Sequence, residues 1–296
     1  MPWAAAARKA GGAGVDPLEI LDEIARIGYE GTQYRPGFPT GPVLRDALDR
    51  RGLRLAEVYV PLPATVDGPT SEALDVAMHL LELLHEANGD MLCLALDGSP
   101  DRDRQAGRAT ETAAPALTGS GWAALADLIG AIADRAQALG RPVSFHPHAG
   151  TLVETVAETE RLLRSTDPSG LGLCLDVGHW IVGGGDPLAA IRDYGTRVTH
   201  VHLKDVDPAV LARLRAGELG GLGDAVRERL FTELGSGSLD LDGVVAALVA
   251  TGFAGWLIVE QDTSWNPPSE SAAIGRRVLA SVLRRQGAGA TNGAWR

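Results

Sequence analysis

The chain has 296 residues, enough for two ordinary domains or for one of α/β-barrel size. Hydrophobic residues make up 45% and charged residues 22%, and no apolar run is long enough to span a bilayer, which excludes a disordered chain and a membrane-inserted one. Lysine and arginine total 27 against 38 aspartate and glutamate, and the resulting net charge of -11 repels phosphate backbones and anionic lipid, so neither nucleic acid nor a membrane is an expected partner.

In chain order, residues 2–6 are the place for a first strand, although they are alanine-rich and poor strand formers. The apolar stretch Ala4–Ala7 is cut short by Arg8 and Lys9, unlike a signal peptide. Cys93 and Cys174 both lie in apolar runs that read as buried strands, so no disulfide framework is indicated and the cytoplasm is the expected compartment. A helix is predicted over 17–27, with Leu18, Ile20, Leu21, Ile24 and Ile27 near one face, then a strand over 30–34. Helix 41–51 leads to strand 55–60, and helix 71–87 leads to strand 90–96. A polar stretch with glycine and proline, 97–119, is long enough to cover an active site. The alternation resumes with helix 121–139 and strand 142–146, helix 153–164 and strand 171–176, and helix 187–194 and strand 198–202. An inserted segment, 208–237, carries Arg213, Arg215, Arg227 and Arg229 among acids and reads as a solvated lid or a contact within a homo-oligomer. Helix 241–250, strand 255–260, a closing helix 269–285 and a flexible tail over 287–296 complete the chain.

The repeated βα step predicts an α/β fold, a (βα)8 TIM barrel forming one domain over 1–286. An open doubly wound sheet would favour a phosphate loop after the first strand, and Gly11, Gly12 and Gly14 lack its spacing. A barrel builds its chemistry at the C-terminal ends of its strands, which here read Gln33, Tyr59, Asp97, His146, Asp176, His202 and Glu260. The last four are all candidate metal ligands. His200 and His202 in VTHVHLKD alternate onto one side of the sheet, and His202 is nearer the active end. Asp176 ends an apolar strand in GLCLDVGHW, with His179 three residues on. Glu260 follows buried apolar residues in WLIVEQD, where a carboxylate is desolvated unless it is paired or holds a cation. His146 and His148 flank Pro147, so one turn could aim both into one pocket. This set suits one borderline divalent ion, Mn, Co, Fe or Zn, better than Ca or Mg. His79 and His85 fall on a predicted helix and read as ordinary surface residues.

Four motifs carry a family resemblance: GYEGTQYRPGFP at 28–39, FHPHAGTLVET at 145–155, LCLDVGHW at 173–180 and HVHLKDV at 200–206. With them the sequence resembles the xylose-isomerase-like, endonuclease-IV-like barrel superfamily of sugar phosphate isomerases and epimerases. The endings LGSGSLDL and GWLIVEQD look most like its inosose (2-keto-myo-inositol) dehydratase group. The resemblance implies one divalent metal, Mn or Co first, carried here onto Asp176, His202 and Glu260, with His146 where most members have a glutamate. Glu154 is the alternative fourth ligand. Gln33 replaces a glutamate usual in the dehydratases, which puts the substrate in question; Gln33, Trp180 and Gln261 are the expected substrate contacts.

Epimerases of this superfamily use two metal-bound glutamates, whereas only Glu260 remains here. One carboxylate base with a histidine acid fits elimination from a keto-sugar or keto-cyclitol through a metal-stabilised enediolate. Glu260 or a metal hydroxide is then the expected base, His148 or His179 the acid, and Lys204 either polarises a substrate oxygen or makes an ordinary ion pair. The alternatives are a keto-sugar isomerase or epimerase, a non-catalytic barrel subunit, and an abasic-site nuclease, which the charge opposes.

Overall fold

The computed structural model describes residues 16–263 and 265–287. Seven strands, β1 (Gly31–Gln33), β2 (Arg54–Leu62), β3 (Leu92–Leu96), β4 (Val143–Phe145), β5 (Gly172–Asp176), β6 (Val198–Leu203) and β7 (Leu257–Val259), form one parallel sheet in strict chain order. The described α-helices of six residues or more are α1 (Pro17–Ile27), α2 (Gly41–Asp49), α3 (Ala73–Glu86), α4 (Gly119–Ala138), α5 (Val156–Ser165), α6 (Val177–Val182), α7 (Pro187–Tyr194), α8 (Pro208–Arg215), α9 (Leu222–Arg227), α10 (Leu241–Ala250) and α11 (Pro268–Arg285). This is the TIM-barrel architecture that the βα alternation predicts, with β1 and β7 as the edges of the described sheet. The strand expected over 2–6 and the tail beyond Gly287 lie outside the described residues. No described helix is long and apolar enough to cross a membrane.

Local chemistry accounts for the elements. Every residue of β3 and β5 is buried, as expected of parallel strands covered on both faces. The Asp16 carboxylate accepts from Leu18 N–H to cap α1, Pro17 occupies its first turn, and Gly28 ends it at φ 94°, a left-handed conformation that glycine adopts without a Cβ penalty. Helix α5 starts later than its apolar pattern suggests, because Thr155 and Glu158 form a reciprocal capping box.

Two stretches depart from their sequence reading. Strand β2 runs to Leu62, so Tyr59 lies within it rather than at its end. The 208–237 insertion is not the solvated segment its charges suggest. Its Val210, Leu214, Leu222 and Phe231 build a second apolar core with Ala106, Ala149 and Val182, while its arginines stay outside. Phe231–Thr232 pairs antiparallel with Asp205–Val206, directly after β6, which brings the insertion onto the active end of the barrel.

Candidate metal centre and active site

His146 follows β4, Asp176 ends β5, His202 lies near the end of β6 and Glu260 follows β7, and the four present ligand atoms that all lie within 4.8 Å of one another. Strand register brings them together: Asp176 pairs with His202, and His202 with Ile258, two residues before Glu260. His146 Nε2 is 3.6 Å and His202 Nδ1 is 3.7 Å from Asp176 Oδ2, and His202 Nδ1 is 2.8 Å from Glu260 Oε2.

The outward-facing atoms of three of these side chains are occupied. Asp176 Oδ1 accepts from His179 N–H at 2.8 Å and so caps α6. His146 Nδ1 lies 2.9 Å from the Pro147 carbonyl, which takes its proton and leaves Nε2 bare. His202 Nε2 lies 2.9 Å from Glu57 Oε2. The inward-facing Asp176 Oδ2, His202 Nδ1 and Glu260 Oε2 are buried and have no hydrogen-bond partner. Three such atoms without a hydrogen bond and a bare imidazole nitrogen facing one point are a fit for a divalent cation, and two nitrogen with two carboxylate donors suit a borderline ion.

Lys204, fully buried just after β6, sets the charge around these atoms. Its Nζ is 2.9 Å from Asp262 Oδ1, 3.3 Å from Asp176 Oδ2, 3.5 Å from Glu260 Oε2 and 3.0 Å from His179 Nε2. Burial alone would lower its pKa, but Asp176, Asp262 and Glu260 outweigh that and raise it, so the ammonium persists. In turn, burial would raise the pKa of Asp176 and Glu260, yet Lys204 above all holds both well below the ordinary carboxylate value.

Two further histidines form the wall. The rings of His148 and His179 stack with centroids 3.6 Å apart. Burial, then His146 and Lys204, push the His148 pKa down to about 4; burial, His148 and Lys204 push His179 well below its usual value. Both imidazoles are therefore neutral near pH 7. His148 Nδ1–H donates to the Ala149 carbonyl at 2.8 Å, which leaves Nε2 as an acceptor. His148 retains some solvent exposure, whereas His146 and His179 are buried. Phe231 of the insertion packs against His179, with centroids 4.9 Å apart, and lies 4.8 Å from Lys204 Nζ.

Other expected contacts lie elsewhere. Glu154 accepts from Gly107 N–H and Gly150 N–H at 2.8 and 2.7 Å, which commits its carboxylate to backbone amides away from the ligand cluster. Trp180 turns outward, donating to the Asp186 carbonyl and meeting Tyr194 edge-on, because it is one residue from inward-facing His179 on a helix. Gln261 alternates away from Glu260 and lines, with Gln33, a cavity between β1 and β7. Asp97 is exposed, as are His79 and His85 on α3. The sequence reading missed Glu57, a buried acid inside the apolar run LAEVYVPL of β2, and Arg102, buried in the polar 97–119 stretch. For Glu57 the signal was present: an acid in the middle of an apolar strand with both faces covered.

The profile of the xylose isomerase-like TIM barrel family matches residues 21–282. The chain is 30% identical to an inosose dehydratase of Lacticaseibacillus casei over 90% of its own length and 89% of that protein's. It is 34% identical to the rhizopine catabolism protein MocC of Rhizobium meliloti, over 93% and 84% of the two chains. Among solved structures, the IOLI protein with a bound zinc atom superimposes with a TM-score of 0.67 at 15% identity, covering 90% of this chain and 92% of that one.

Proposed function

The chain belongs to the xylose isomerase-like TIM barrel family, and from that premise we propose that it is a divalent-metal-dependent hydro-lyase that removes water from an inosose-like keto-cyclitol. The observation that carries this reading is the convergence of His146, Asp176, His202 and Glu260, with a single glutamate among them, beside the neutral His148. Relatives named inosose dehydratase, matched over nine-tenths of this chain, support the substrate class.

In this reading, Mn or Co is the preferred ion and the cytoplasm the compartment. A bound divalent ion supplies Lewis-acid polarisation of a substrate carbonyl, which acidifies the neighbouring C–H. His148 accepts that proton at its bare Nε2 and, as imidazolium, returns it to the β-hydroxyl, so that one C–H and one C–O bond break and water leaves. Glu260, held ionised, is the alternative acceptor on the metal side. The Lys204 ammonium donates to a substrate oxygen.

The test is turnover of a keto-inositol in deuterated water by Mn-loaded protein, read by mass spectrometry and NMR. Loss of one water supports the hydro-lyase. A rearranged product that carries solvent deuterium without loss of water would instead make the protein an isomerase or epimerase.

A further inference from the structure

His202 presents its two ring nitrogens to two carboxylates, and only one contact has hydrogen-bond alignment. Nε2 is aligned with Glu57 Oε2 at 2.9 Å. Nδ1, although 2.8 Å from Glu260 Oε2, is not aligned with it, and both atoms lack a hydrogen-bond partner. Nδ1 therefore aims past Glu260, toward the space shared with Asp176 Oδ2. Glu57 stands on β2, fully buried, and its Oε2 is also 2.8 Å from His200 Nε2 without the alignment of a hydrogen bond.

A neutral imidazole carries one proton on either nitrogen, and only the nitrogen without it can bind a cation. We propose that Glu57 is the positioning residue of the metal centre: it fixes the proton of His202 on Nε2, so that Nδ1 stays bare and aimed at the point where His146, Asp176 and Glu260 converge. This rests on the metal-centre reading above. An ionised carboxylate buried in the barrel is costly unless it is compensated. Its return here is orientation and basicity of the ligand, as for other carboxylate–histidine–metal chains. Glu57, His200 and His202 could instead hold a second cation, but His202 would then bridge two ions and give up both ring protons, and the aligned Nε2 contact is a direct hydrogen bond.

The experiment uses the full chain and Glu57→Gln, with zinc as the probe. Calorimetric titration gives affinity and stoichiometry, and long-range 1H–15N NMR of the His202 ring is recorded with and without zinc. The wild type should bind one zinc and show a far-downfield Nε2–H in both states. Glu57→Gln should retain its circular dichroism, bind zinc about 10- to 100-fold more weakly, and lose the downfield position of that proton. Equal zinc affinity in the variant, an Nδ1–H pattern in the zinc-loaded wild type, or two zinc ions of which the variant loses one would each overturn the proposal. If Glu57→Gln does not fold, the wild-type spectrum decides. A wild type that binds no zinc defeats the metal-centre reading, while its Nε2–H signal still tests the Glu57 contact separately.

Discussion

Arg102 and Glu158 meet through two parallel hydrogen bonds, Nη1 to Oε1 at 2.7 Å and Nη2 to Oε2 at 3.0 Å. This pair fastens the 97–119 stretch to the start of α5, and Arg102 Nη1 also holds the Pro115 carbonyl. Glu158 Oε2 accepts from Glu154 N–H as well, and Glu154 grips Gly150 N–H, two residues from His148. The predicted cover of the site is thus tied to the loop that carries its histidines. Replacing Arg102 by leucine strands the buried Glu154, 3.8 Å from Arg102 Nη2, and the partly buried Glu158, and a broken buried pair typically costs ~3–5 kcal/mol. Equilibrium urea unfolding of Arg102→Leu should show a loss of that size; a loss under ~1 kcal/mol would mean that the pair does not hold the stretch down.

The same pair makes part of the stability depend on pH. Burial would raise the Glu158 pKa, but Arg102 and the backbone amides of Thr155 and Glu154 outweigh it and lower it. A carboxyl with a depressed folded pKa contributes stability that is complete above its unfolded value, ~4.3, and is lost as pH falls through the folded value. The wild type should therefore exceed Glu158→Gln in urea midpoint by a constant margin at pH 6 to 7, and the margin should shrink as pH drops below ~4. A margin unchanged down to pH 3 would contradict the assignment.

The centre was legible where chemistry and strand period coincide. Asp176 and Glu260 each close an apolar run, and the two-residue spacing of His200 and His202 places both inside the barrel. What the period leaves open is depth. His200 faces the same interior one layer lower, against Glu57, and only the three-dimensional register with β2 distinguishes a candidate ligand from the residue beneath it. Arg102 was illegible for another reason: its partner Glu158 is 56 positions away, and a charged residue in a polar stretch looks solvated until the fold buries it.

In the proposed metal centre, Lys204 would compete with a cation for the same carboxylates. Its Nζ is 3.3 Å from Asp176 Oδ2 and 3.5 Å from Glu260 Oε2, so in Lys204→Met these charges lose their counterion. The metal-free variant should be less stable by ~3–5 kcal/mol. An added divalent ion then meets more negative charge, and binding to the folded state stabilises it by RT ln(1 + [L]/Kd), ~2.7 kcal/mol at 100 times Kd. Thermal unfolding with and without Mn2+ should show a larger metal-induced rise in Tm for Lys204→Met than for the wild type. Equal rises would mean that Lys204 and the ion do not share these carboxylates.

Two glycines in helices give opposite expectations. A Cβ on Gly178, in α6, would stand 2.9 Å from Lys204 Cβ, Cγ and O, so the close approach of α6 to the end of β6 requires the absence of a side chain. Gly178→Ala must push Lys204 and the strand that carries His202, with an overpacking cost of ~1–3 kcal/mol and weaker metal binding. Gly130, in the exposed middle of α4, has nothing within 4 Å of the point where a Cβ would stand, so Gly130→Ala removes only unfolded-state freedom and should stabilise by ~0.5–1 kcal/mol. Urea unfolding and zinc titration of the two variants separate the effects: Gly130→Ala should raise the midpoint at unchanged affinity, and Gly178→Ala should lower both. Unchanged zinc affinity in a destabilised Gly178→Ala would show that the α6 contact supports the fold without setting the position of His202.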